Sequence, residues 1–359
     1  MKKRKLLVKA FFAVLIIGLF SAAAVFLSRE PIILVTDTSF TNLYGVYRGR
    51  LKQLFLSISL FRMIKTVSIA EGAGPDLVAH GAASLSRRPL AVFFPYRFRE
   101  GARRYLKDRP GSPVVILGGR YRGDLGGGVY DKGQILGGLA EPLWICTDTE
   151  TDLYRAGFIA GKLARFEEIE RRELKLRQEN EAQDKDVNNG GEDNNEEDSI
   201  EDSEEYLIED PVTKVAQQGI LLFFQKRINE AEIAAFKKGM GDYWTEDQLF
   251  FFVSEEIEIL CAVIMGNFNF NREENLGSLV LFTWMDPVLI PRKTMALFDD
   301  SPWVQIKPAL AILKEGKAGL ISLIPSEITI FGRDEKQKSK KIEIQGVKTL
   351  IYSKENTDN

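Results

Sequence analysis

Histidine and cysteine are scarce: 359 residues hold one histidine, His80, and two cysteines, Cys146 and Cys261. A single imidazole argues against a histidine-rich metal centre, and two thiols argue against a zinc ribbon or a disulfide-stapled miniprotein. His80 sits in DLVAHGAASL, a helical pattern in which it reads as structural. Cys146 closes the apolar run LWIC and Cys261 lies inside IEILCAVIM, so each reads as a small buried hydrophobe. Serine hydrolase chemistry has no support, because no GxSxG element accompanies the histidine. Glycine clusters occur at Gly118-Gly119 and Gly126–Gly128, yet neither builds GxxxxGK[ST] or a dinucleotide fingerprint, and both read as turns. Asp148, Glu150 and Asp152 lack the EF-hand spacing and read as caps of the helix that follows. Basic residues are scattered and no helix-turn-helix leads the chain, so nucleic acid is not an expected partner. No catalytic group, metal or cofactor is expected.

The N-terminus has what the rest lacks, a long uncharged run. MKKRKLLVK is basic, and Ala10–Leu27 (AFFAVLIIGLFSAAAVFL) approaches the ~20 residues a membrane span needs. Ala22-Ala23-Ala24 offers the small-residue cleavage site of a secretory signal; the run can equally remain as a single anchor with its basic flank in the cytoplasm. Both readings export the remainder. No cysteine follows the run, which excludes a lipoprotein anchor.

The net charge of −3 sums unlike parts. Phe166–Asp210 is strongly acidic and nearly free of aromatics from Asn180 to Glu205, so it buries too little apolar surface to offset the entropy of ordering and reads as an exposed, largely disordered insertion. Its first part, Glu167–Gln178, can extend a helix through Glu168/Arg172 and Glu173/Arg177.

From Pro31 onward short apolar runs alternate with helical patterns, the signature of βαβ units and parallel sheets. In the first half the strands are Ile32–Thr36, Thr66–Ala70, Leu90–Phe94 and Val114–Leu117. Leu43–Leu60, Asp76–Ser86 and Arg99–Lys107 carry apolar residues at helical spacing between them. A second series runs Leu143–Cys146, helix Asp152–Phe166, Gly219–Phe224, helix Asn229–Met240, Gln248–Val253, helix Glu255–Met265 and Leu279–Phe282.

In Thr294–Gly316, TMALFDDSPWVQIKPALAILKEG, an apolar strand delivers Asp299 and Asp300 to a loop ahead of a proline-started helix. Ligands of open α/β sheets sit just beyond the carboxyl ends of strands, where these two carboxylates fall. The segment resembles the "GFDxxP" element of type I periplasmic binding proteins, the sugar and nucleoside receptors related to the ligand domains of LacI-type repressors. ICTDTETDLYRAGFIAGKLARF is similar to that family's "SDNxxxGxxAGxxL" helix, whose small residues, here Ala156, Gly157, Ala160 and Gly161, pack closely on the sheet. SPVVILGGRYRG, FFQKRINEAEIAAFKKGM and VLFTWMDP follow in matching order, and SFTN in LVTDTSFTNLYGVYRG echoes the SFN of the basic membrane protein and purine-nucleoside receptor branch. The resemblance covers Pro31–Ile330. It departs at Val288–Lys293, a bare loop where the family has a helix, at the glycine-rich Gly126–Gly138, and at Lys341–Ser353, which reads as an added hairpin.

The resemblance implies an α/β protein of two lobes, each a parallel sheet with helices on both faces, joined by a crossing hinge. The expected boundaries are 1–30 for the signal or anchor, 31–120 with 301–322 for one lobe, and 121–300 with 323–330 for the other. An acidic insertion spans about 170–210 and a C-terminal hairpin and tail spans 331–359. Strand-end positions give the candidate ligand residues: Asp37, Phe40, Phe94, Tyr96, Arg97, Arg120 and Tyr121 from the first lobe, and Gln225, Trp284, Asp286, Asp299 and Asp300 from the second. Asp299 coincides with the family's hydroxyl-gripping aspartate and Phe40 with its first-loop aromatic. Arg97 stands where the family has an aspartate, and Met285 where it has an asparagine. With Arg120 and Lys226, Arg97 favours an anionic group. Two functions stay open. One is an exported solute-binding protein that closes on a sugar, nucleoside or anionic metabolite for an ABC-type permease or membrane sensor, at the periplasmic or extracytoplasmic face. The other is a ligand-free structural or interaction protein of the cell envelope that keeps the fold.

Overall fold

The computed structural model describes residues 16–18, 20, 21, 23–120, 142–189, 217–225, 228–241, 244–254, 256–266, 276–283, 285, 289–315, 321–331 and 350–352. Tyr121, Lys226, Trp284, Asp286, the glycine-rich 126–138, the acidic 190–210 and most of the expected C-terminal hairpin lie outside them, as does the Arg120 side chain. Two compact units divide the chain: Met1–Asp152 with Phe282–Ile290 and Leu297–Asn359, and Leu153–Leu281 with Pro291–Ala296.

The first unit is built on β1 (Ile32–Asp37), β2 (Ile64–Ile69), β3 (Ala91–Pro95), β4 (Val114–Arg120), β5 (Leu143–Thr147) and β11 (Ile321–Ile324). Their order is β11-β5-β4-β3-β1-β2, and every pairing is parallel. β1 reads IILVTD and is buried throughout because both faces of the sheet are covered. Ile32 and Leu34 face one core with Tyr44, Trp303 and Ile306, while Ile33 and Val35 face the other with Val78, Ala102 and Tyr105. Helices α1 (Thr38–Tyr44), α2 (Val46–Leu60) and α7 (Pro302–Lys314) accompany the first face; α3 (Pro75–Leu85) and α4 (Arg99–Asp108) cover the second. One strand differs from its sequence placement. Leu143–Cys146, expected to open the second series, pairs with β4 and β11 in the first sheet.

Helix α2 also departs from expectation. Its inward side is polar: Gln53 donates to the Ile64 carbonyl and Ser57 accepts from the Ile64 amide, while Leu56 and Leu60 pack against the core. Most of its apolar side chains point outward instead.

The second unit holds α5 (Thr149–Asn189, from Leu153 onward), β6 (Gln217–Phe224), α6 (Glu230–Met240), β7 (Leu249–Phe250), β8 (Ile257–Met265) and most of β9 (Leu276–Phe282). With β10 (Thr294–Asp299), β12 (Glu327–Phe331) and β13 (Leu350–Tyr352) the second sheet runs β13-β12-β10-β9-β8-β6-β7. Within the segment Glu255–Met265, expected as a helix, Ile257–Met265 forms the strand β8, consistent with the β-rich run IEILCAVIM. Helix α5 continues past the expected Gln178 to Asn189, with Glu168 and Arg172 paired at 2.6 Å on its flank. The residues 170–189 of the acidic insertion are therefore helical, because charge pairs one turn apart sustain a helix without a buried face.

Of the small residues of α5, Gly157 and Gly161 face helix α6 and the residues just after it. A Cβ on Gly157 would lie 2.2 Å from the Phe236 carbonyl oxygen of α6, and one on Gly239 would lie 2.0 Å from the Tyr154 oxygen of α5. The two backbones touch, which only glycine allows. Asn229 caps α6 in a reciprocal box with Glu232.

Candidate functional site

In the first sheet the chain runs from β1 outward to β2 and returns to β3 on the other side of β1, so the strand order reverses between β1 and β3. A doubly wound sheet opens a crevice at the carboxyl ends of such strands. Asp37 ends β1, Glu71 follows β2, and Tyr96 and Arg97 follow β3. Asp37 is buried and its Oδ1 accepts the Phe40 amide at 2.6 Å, capping α1. Arg97 lies 3.3 Å from the same oxygen and donates to Glu71 Oε1 at 2.8 Å; Ser39 donates to the other Glu71 oxygen at 2.9 Å. Arg97 keeps 45% of its side chain exposed, so the switch point presents a guanidinium held from behind by two carboxylates. Beside it the Tyr96 ring stacks on Trp144 at 5.2 Å, with the Arg99 guanidinium 4.8 Å from the ring centroid.

A second charged group forms where β10 ends. Arg48 of α2 donates to Asp299 Oδ2 at 3.2 Å and to the Met285 carbonyl at 2.9 Å, and its guanidinium lies 4.2 Å from the Tyr44 ring centroid. The Ser301 amide donates to Asp299 Oδ1 at 2.8 Å. Asp299 is almost fully buried, and desolvation pushes its pKa above the ordinary carboxylate value despite the opposing pull of Arg48. Burial, and then the Asp299 charge, raise the Tyr44 hydroxyl well above its usual range. Asp300 turns the other way and accepts from Thr147 at the carboxyl end of β5.

The candidate residues thus divide. Asp37, Tyr96, Arg97 and Asp300 sit at the carboxyl edge of the first sheet. Phe40 is buried against Tyr44, and Phe94 is fully buried against Tyr105, so neither ring has surface to offer a ligand; alternation along β3 sends Phe94 into the core. Asp299 is taken up by Arg48. In the second unit Gln225 follows β6 and Gly266 follows β8, the pair of strands at which that sheet reverses. Gly266 adopts φ +122°, and a Cβ there would lie 2.7 Å from the Gln225 Cβ. Of the three spaced carboxylates, Asp148 caps α5 through Thr151, whereas Asp152 is wholly buried and accepts from the Ser326 amide at 2.9 Å and its hydroxyl at 2.5 Å. His80 is exposed on α3. Arg48, Tyr44 and Trp144 were not foreseen. Basic and aromatic residues inside a helix or strand carry no sequence mark of the partner they will meet.

No protein-family model matches the chain, and no curated protein sequence is similar to it. Solved structures with a similar chain course include a LacI family transcriptional regulator from Weissella paramesenteroides with bound sucrose, at 13% identity and a TM-score of 0.39, covering 83% of this chain and 96% of that one. An ABC transporter system solute-binding protein from Conexibacter woesei is similar at 10% identity and a TM-score of 0.42, over 82% of this chain and 85% of that one. A sugar transporter from Clostridium phytofermentans is similar at 10% identity and a TM-score of 0.38, over 84% and 99%. These neighbours are regulators and solute-binding proteins of the type I periplasmic binding protein kind, at low sequence identity. The likeness concerns the course of an α/β chain and carries nothing about ligand or partner.

Proposed function

We propose that this is an exported solute-binding protein that holds a small molecule with an anionic group at the carboxyl edge of its first sheet, for a permease or sensor in the membrane. The observation that carries this reading is Arg97 at the β1/β3 switch point, half exposed and oriented by Asp37 and Glu71, beside the stacked Tyr96 and Trp144 rings. A guanidinium fork suits carboxylate or phosphate, and an aromatic face suits a sugar or base. Residues 10–27 serve as its membrane anchor. In support, the described residues from 23 to 28 are helical and the Phe26 ring meets Phe61 of the folded unit edge-on at 5.7 Å. Among the described residues no helix is long and apolar enough to cross a membrane, and much of the 10–27 run lies outside them.

The test is a thermal-shift screen of sugars, nucleosides and anionic metabolites, in which a ligand at 100 times its Kd adds about 2.7 kcal/mol to the folded state. Calorimetric titration of Arg97→Ala with any hit is expected to show binding weaker by about 1.5–3 kcal/mol, the range for a hydrogen bond to a charged group. Unchanged affinity removes Arg97 from the site.

One observation favours the second reading, a protein of the cell envelope that has lost its ligand. Asp299, the residue the resemblance assigns to ligand hydroxyls, is buried and neutralised by the chain's own Arg48. A screen without hits in any of the three classes supports that alternative.

A further inference from the structure

Helix α2 is inverted. Val46, Tyr47, Leu51, Leu54, Phe55 and Ile58 recur at helical spacing and are all exposed, Tyr47 at 77% and Phe55 at 65%. The polar residues Gln53 and Ser57 point inward with partners, and Lys52 is paired with Glu327 at 3.2 Å. A lone exposed leucine needs no account, but an outward face richer in apolar side chains than the inward one marks a surface built to be covered.

Charge narrows what covers it. From Thr38 to Ala70 there is no acidic residue, while Arg48, Arg50, Lys52, Arg62 and Lys65 are all basic. Arg50 is exposed within the stripe, and Arg62 stands at its end. The face is also continuous with the apolar N-terminal helix: Phe61, just past α2, receives Phe26 edge-on, and the Arg29 guanidinium lies 4.9 Å from the Phe61 ring centroid. Ile17 and Phe20 of that helix are themselves exposed. An apolar stripe with aromatics, flanked by cations and adjoining an anchor, matches the chemistry of a bilayer surface with anionic headgroups.

We infer that the outward face of α2 lies on the membrane, with Tyr47, Phe55 and Ile58 at the headgroup boundary and Arg50 toward lipid phosphates, while Arg62 at its end donates to the Glu30 carbonyl at 3.0 Å. This rests on the anchor reading above, and goes beyond it in assigning a second contact that fixes how the first unit is presented to the bilayer. A flexible tether alone would leave α2 in water.

The experiment uses the full chain in vesicles of phosphatidylcholine with about 30% phosphatidylglycerol, an anionic surface of the kind such a face recognises. Nitroxide labels are placed singly at Phe55→Cys and Ile58→Cys, at Phe20→Cys in the N-terminal run, and at Ser84→Cys on exposed α3 as the aqueous control. Cys146 and Cys261 are buried and stay unlabelled in the folded protein. Labels at 55 and 58 are expected to collide with a water-soluble nickel chelate about tenfold less often than the label at 84 and to be relaxed by oxygen, as for groups inside the acyl boundary. Leu54→Glu, an exposed substitution, should return the label at 55 to the aqueous value without lowering the melting temperature; Ile58→Glu, read from the same label, should do likewise.

If the label at 20 is in lipid while 55 and 58 match the control, the anchor stands and this inference falls. If 55 and 58 are in lipid and 20 is not, the face stands and the anchor reading falls. Labels at 55 and 58 shielded from both reagents, with spin–spin broadening, would identify a second copy as the occupant and overturn the inference. Equal shielding in pure phosphatidylcholine would remove the anionic part of the assignment.

Discussion

Replacing Arg48 by alanine removes three contacts at once: the ion pair with Asp299, the bond to the Met285 carbonyl and the guanidinium stacked on Tyr44. The largest consequence falls on the partner left behind. Asp299 is 4% exposed and retains the Ser301 amide but no cation at 3.2 Å. Breaking a buried pair costs about 3–5 kcal/mol, and because Arg48 itself is 21% exposed the lower end applies, about 3 kcal/mol near neutral pH. The deficit should depend on pH. The folded-state pKa of Asp299 already lies above its ordinary value of 3.8, and losing Arg48 raises it further. Between those two values the folded form binds more protons than the unfolded chain, so stability falls as pH rises through the window and the deficit is full above it. Urea unfolding followed by tryptophan fluorescence, with Trp144 and Trp303 reporting on the first unit, should show a smaller loss near the ordinary carboxylate value of 3.8 than well above it, at unchanged m. Adding Asp299→Asn to Arg48→Ala should recover about 2 of the 3 kcal/mol, since the stranded charge is then gone. A deficit independent of pH, or a double variant as unstable as the single one, would refute the reasoning.

The glycines of the second unit offer a steric test: Gly157→Ala or Gly239→Ala forces a methyl into a facing backbone oxygen and should cost about 2–3 kcal/mol in thermal melts. Gly49→Ala, where the new Cβ meets only Tyr44 Cδ1 at 3.9 Å inside α2, should instead stabilise by about 0.5–1 kcal/mol. Burial pushes the Cys146 thiol up to about 12 and lifts Cys261 above its ordinary range, so maleimide at about pH 8 should modify neither until urea is added. Modification of either in the native protein at the rate of a free thiol would contradict its burial.

Much of this architecture was legible in the chain. Runs such as IILVT and LAVFF, β-branched or aromatic and unbroken, identify strands covered on both faces, and all of the first sheet's leading strands stand where these runs do. IEILCAVIM was misassigned because a short apolar run has no period that separates a strand from a buried helix. For the candidate site, the placement of Arg97 and Asp300 just beyond strand ends is legible because the apolar runs before them mark those strands. Phe40 and Phe94 are not separable in the sequence from ligand-facing rings: Phe40 turns inward from a short helix, and Phe94 belongs to a strand covered on both faces, where Phe93 and Phe94 enter opposite cores. Arg48 escaped notice because its partner lies far along the chain, and long-range pairing leaves no local pattern. Likewise the apolar spacing of α2 showed a stripe but not the side on which it would lie.

The parallel pairing of β11 with β5 has a consequence for how the protein reaches its native state. Ile321 to Ile324 must find Trp144 to Thr147 across the whole intervening chain, and α7 supplies Trp303 and Ile306 to the core that begins with Ile32. The N-terminal half therefore cannot complete its own core while it is being synthesised. Such high contact order slows folding and leaves the edge of β5 and the inner face of β1 uncovered until the last quarter of the chain arrives.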